Sequence, residues 1–138
     1  MALTFTAPFA QTTKTATAVV TSAAGTITGD APTNTVLLLT AGSDGAIITR
    51  LTAMPRATVT ASSLIIWISN DAGTTKRMAD SATMAAQTVS TTTAITWTQF
   101  TSYSETTPLR LEANQQIYVG SQVALASGIV FKAEYTNF

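Results

Sequence analysis

Apolar positions along this chain recur in short runs or strict alternation, not at helical spacing. The stretch GIVFKAEYT (128–136) is the cleanest case. Ile129, Phe131, Ala133 and Tyr135 fall on one side, and Val130, Lys132 and Glu134 on the other. Period two marks a strand with one buried face. SSLIIWIS (62–69) differs, because Leu64, Ile66 and Ile68 point one way while Ile65 and Trp67 point the other. That pattern predicts a strand buried on both faces.

Further strands are predicted at TATAVVT (15–21), TNTVLLLTA (33–41), AIITRLTAM (46–54), TTKRMADS (74–81), AITWTQF (94–100), PLRLEA (108–113) and QIYVGSQ (116–122). MAAQTVS (84–90) fits a strand or one helical turn. GSDG (42–45) is a tight-turn signal, so residues 34 to 54 read as a hairpin that Pro55 ends. Asn70-Asp71-Ala72-Gly73 turns the two-faced strand back onto 74–81, with Asp71 bonding to nearby backbone. Lys76 and Arg77 then fall on the returning strand with side chains on opposite faces. Asn114-Gln115 turns 108–113 into 116–122. About eight strands without crossover helices predict an all-β, antiparallel, jelly-roll-like β-sandwich over residues 15–138. Residues 1–14, with Phe5, Pro8 and Phe9, read as an extended N-terminal arm that either docks on a neighbour or folds back on its own domain.

Composition sharpens the picture. The 138 residues are 46% hydrophobic and only 10% charged, where a quarter charged is usual for soluble domains. Threonine supplies about a fifth of the chain, which favours strands. Seven acids balance seven bases, so there is no net positive field for nucleic acid. A surface so poor in charge is prone to association, which suits a protein packed against neighbours. No run is apolar enough to cross a membrane. The Ala/Val stretch after Lys14 is interrupted by Thr15, Thr17 and Thr21, so no signal peptide is expected.

The chain has no histidine and no cysteine. Serine–histidine and cysteine–histidine sites, disulfides and zinc held by those residues are excluded. The acids sit in turns or on outward strand faces, and no phosphate-binding glycine loop is present. The Asp44 and Asp71 loops lack the dense ligand spacing of a calcium site. The expectation is no enzyme, no cofactor, no metal and no catalytic residue. Trp67 reads as core. Trp97 and Tyr103, surrounded by threonine and serine, are the aromatics placed to meet a glycan. Arg50, Arg56, Lys76 and Arg77 suit contacts to another subunit or a capsid, as do Phe5 and Phe9 in the arm.

Four motifs occur in order: T-A-G-x-D-G at Thr40–Gly45, P-R-A-T at Pro55–Thr58, S-N-D-x-G-T-T at Ser69–Thr75, and an L-x-L-E-A…Y-V-G hairpin at Leu109–Gly120. Over residues 10 to 138 the chain resembles small virion structural proteins of tailed bacteriophages and prophages. The resemblance implies a head decoration protein of the minor capsid or cement type. Such a protein would be made in the host cytoplasm and sit on the capsid surface as a homotrimer, with the major capsid protein as partner. A tail, neck or head-fibre module binding host glycans is the alternative.

Overall fold

A computed structural model of the chain describes residues 12–138. It is all-β, with nine strands among those residues: β1 (Thr12–Val20), β2 (Val36–Thr40), β3 (Ala46–Pro55), β4 (Ser62–Ser69), β5 (Arg77–Met84), β6 (Thr98–Gln99), β7 (Leu109–Leu111), β8 (Gln116–Ser121) and β9 (Ile129–Asn137). Two antiparallel sheets pack face to face as a β-sandwich. One has the order β1-β9-β3-β6, with β7 also on β3; the other has the order β2-β8-β4-β5. No helix among the described residues is long and apolar enough to cross a membrane.

The alternation read from sequence sets the inner faces. Ile129, Phe131, Ala133 and Tyr135 of β9 meet Leu64 and Ile66 of β4 and Ile117 and Val119 of β8 in one core. Phe100 and Phe131 lie within it, ring centroids 6.4 Å apart and tilted by 37°. On β3 the inward phase changes. Ala46 and Ile48 are buried, then Leu51 and Ala53, because a register shift between Ile48 and Arg50 inserts one residue against β9. A bulge re-aims the side chains that follow it. This one turns Arg50 to the outer face, while the Thr49 hydroxyl donates to the Glu134 carbonyl at 3.2 Å.

Two expected hairpins are not hairpins. β2 pairs with β8 and β3 with β9, so GSDG carries the chain from one sheet to the other. The turn itself is as tight as expected, with Gly45 N–H donating to Gly42 O at 3.1 Å and Gly45 at φ 93°. The Asn114-Gln115 turn likewise joins β7 in the first sheet to β8 in the second. The two arches lie side by side, tied by Asn114 N–H to Gly42 O at 3.1 Å and Ala41 N–H to Gln115 O at 2.8 Å. Turn residues specify a sharp reversal, not the sheet that the exit strand joins. The hairpin at Asn70–Gly73 does form, pairing β4 with β5.

Strand boundaries also differ: the expected 74–81 strand runs from Arg77 to Met84 and leaves Lys76 outside it. β1 starts at Thr12, so residues 12–14 of the expected arm pair with β9. The 94–100 strand shrinks to Thr98–Gln99. Its Thr96 N–H donates to the Gln87 side-chain oxygen at 2.8 Å, and the Gln87 amide donates to Thr96 O at 2.6 Å. A side chain thus satisfies the backbone groups that a ladder would have used. Of the 84–90 segment, Met84 ends β5, and residues 85–90 form only a single bridge, Val59 to Gln87.

Trp67 and Ile65 point away from the core, yet both are buried. The connection between β1 and β2 lies over them. Ala24 N–H donates to Ser121 O at 2.7 Å, and the Trp67 indole N–H donates to Ile27 O at 3.1 Å. The second sheet therefore has its outer face covered over β4 and β8 by its own chain, while Leu37 on β2 and Met78 on β5 stay exposed.

Candidate functional site

The expected contact residues separate into two places. Lys76, one residue before β5, donates from Nζ to the Thr35 hydroxyl at 2.9 Å and lies 4.5 Å from the Tyr118 ring centroid. Arg77 pairs with Asp30 at 3.3 Å, both well exposed. Both cations reach from the start of β5 to the β1–β2 connection. At that tip Asp71 accepts from the Thr75 N–H at 2.8 Å and from the Ser69 hydroxyl at 2.9 Å. Those bonds hold its carboxyl below the usual carboxylate range. The tip is satisfied by its own donors. Phe5 and Phe9 lie outside the described residues.

Arg50, Arg56 and Trp97 come together elsewhere, on the outer face of the β1-β9-β3 sheet. Trp97 precedes β6 and is 43% exposed. The Arg50 guanidinium, aimed outward by the bulge, stacks 4.2 Å from the indole centroid. Its buried Nε has no hydrogen-bond partner, so the aromatic face is its principal contact there. Arg56 follows Pro55 at the end of β3, and its Nε donates to Ser127 O at 2.7 Å. Between these residues lies a groove of about 300 Å³ lined by Thr52, Met54, Arg56, Trp97, Val130 and Lys132. Strand register builds it: Thr52 faces Lys132 and Met54 faces Val130 across β3 and β9.

Tyr103 requires a correction. Its polar neighbours Thr101 and Ser102 are exposed, but the tyrosine is only 8% exposed and belongs to the core cluster. The surrounding hydroxyl residues form the turn that tucks the ring inward. Burial, and then the neighbouring charge of Asp80, push its phenol up to about 12. Trp97 and Tyr103 therefore do not share a surface.

No family model, characterised protein or solved structure matches this chain.

Among the described residues, no group of three or more Asp or Glu side chains is arranged to hold a metal ion. The groove offers apolar surface, one exposed indole and two cations, which can hold an apolar group and an anion. Sequence reading placed Val130 and Lys132 on an outward face and singled out Arg50, Arg56 and Trp97. It missed Thr52 and Met54, and the fact that these two converge with Arg56, Trp97, Val130 and Lys132 on one groove beside Arg50. The phase change along AIITRLTAM, with Ile48 and then Leu51 inward, was the signal that could have revealed the bulge.

Proposed function

We propose that this chain is a non-enzymatic structural protein of a bacteriophage virion that decorates or cements the capsid surface, assembling as a trimer with the major capsid protein as partner. The observation that carries the reading is the order of four sequence motifs, which resembles that class. All four fall at bends of the fold: the two arches between sheets, the end of β3 and the β4–β5 tip. They are framework elements, as a protein without chemistry needs. The jelly-roll reading of the sandwich is supported by the strand orders β1-β9-β3-β6, with β7 also on β3, and β2-β8-β4-β5, in which the short links after β2 and β7 change sheet. The low charge supports a life packed against neighbours. The glycan-binding alternative loses one of its two aromatics, because Tyr103 is buried.

Quantitative gel densitometry of purified particles tests the proposal. A copy number matching capsid symmetry is expected. A few copies per particle, at one vertex or on the tail, overturns it.

A further inference from the structure

The two outer faces of the sandwich are treated differently. The β2-β8-β4-β5 face is roofed over its central strands β8 and β4 by the β1–β2 connection, which buries Ile65 and Trp67, while Leu37 and Met78 stay exposed on its edge strands β2 and β5. No described segment is hydrogen-bonded across the β1-β9-β3 face, and its row Val19, Val130 and Met54 is apolar beside the polar row Thr17, Lys132 and Thr52. Val19, Met54 and Trp97 are three of the five large exposed hydrophobic residues among those described. Val19 and Met54 both lie opposite Val130, one on each side of β9. A contiguous apolar strip thus crosses three strands and ends in the groove beside Trp97. Exposed apolar strips with a polar rim mark interaction surfaces.

Charge narrows the occupant. The groove is lined by Arg56 and Lys132 and by no acid. The one ion pair among the described residues is Arg77 with Asp30, so Arg50, Arg56 and Lys132 have no carboxylate in ion-pair contact. Glu134, opposite Arg50 in register, lines a separate hollow with Arg50 and Glu105. The cations are also pre-positioned: Arg56 by its bond to Ser127 O, Arg50 by stacking on Trp97. Pre-organised groups lose less freedom on binding. A volume of about 300 Å³ is at the small end of ligand pockets and suits one apolar anchor. A second copy presenting this face would set cations against cations.

We propose that this groove is a docking site for a protein segment carrying one apolar side chain flanked by acidic residues. The apolar group enters between Trp97, Met54 and Val130, and its carboxylates meet Arg56 and Lys132. The inference goes beyond the virion reading and does not depend on it.

An array of short peptides tests it. Each carries one Phe or Leu among Asp and Glu, with a counterpart in which Asn and Gln replace the acids. Hits are titrated in solution by Trp97 fluorescence, and oligomeric state is followed by sedimentation velocity. The acidic members are expected to bind at least about tenfold more tightly than their amide counterparts and to weaken with salt. Met54→Glu and, separately, Lys132→Glu should each reduce that binding by about tenfold or more, with the melting temperature nearly unchanged because both residues lie on the outer face. Lys132→Glu stands alone if Met54→Glu does not fold. Three results overturn the proposal: no acidic peptide binding more tightly than its amide counterpart, binding that survives the variants, or an oligomer that the variants dissociate. The last would assign the face to a second copy.

Discussion

Gly120→Ala isolates the contact that lets β4 be buried on both faces. Gly120 lies on β8 opposite Ile65, two register steps from the Trp67–Tyr118 pair and so on the same face. A Cβ there would stand 2.9 Å from Trp67 Cζ3, 3.0 Å from Cη2 and 3.3 Å from Ala24 Cβ. The indole cannot retreat, because it is fully buried and its N–H is tied to Ile27 O. Overpacking of this kind costs about 1–3 kcal/mol. Unfolding entropy of about 2 cal/mol/K per residue gives a chain of this length about 0.3 kcal/mol/K, so a 2 kcal/mol loss lowers the melting midpoint by about 7 °C. Urea unfolding followed by circular dichroism measures the loss. A double-mutant cycle with Trp67→Phe tests its cause, since phenylalanine lacks the outer indole atoms that the methyl group would strike. The substitution should cost at least about 1 kcal/mol less in the Trp67→Phe background. An equal cost in both backgrounds would refute the reasoning, as would a neutral single variant.

Tyr103 carries a pH prediction. Its folded pKa is raised from 10.0 to about 12, so the folded state holds its proton longer than the unfolded chain. The associated stability is fully present below about pH 10 and is lost as pH rises toward about 12. Tyr103→Phe should therefore flatten the alkaline fall in urea midpoint, and an unchanged slope argues against the buried phenol. Arg77→Ala should change stability by less than about 1 kcal/mol, because its pair with Asp30 is exposed on both sides; a larger loss in a urea titration would mean that the pair anchors the β1–β2 connection. Gly45→Ala should cost more than about 1 kcal/mol, since Gly45 has φ 93° and a Cβ would meet the Leu111 carbonyl oxygen at 2.6 Å. A wild-type urea midpoint for Gly45→Ala would contradict the arch geometry.

By itself the sequence determined the class of the fold, the two-faced burial of 62–69, the one-faced burial of 128–136, and the places where the chain turns. These follow from side-chain alternation and from the backbone preferences of Gly, Asn, Asp and Pro, which act within a few residues. It also determined that thiol and imidazole chemistry is absent, which is a matter of composition. Tertiary structure alone decided which sheet each strand joins. GSDG and Asn114-Gln115 look like hairpin turns and are arches between sheets, because every strand offers the same ladder groups to any partner. The pairing is settled only when all the inner faces are buried together. The same collective packing tucked Tyr103 inside despite its polar neighbours and roofed Trp67 with the β1–β2 connection. It also carried Arg50, through a one-residue bulge, onto Trp97, and so brought six residues from distant parts of the chain into one groove.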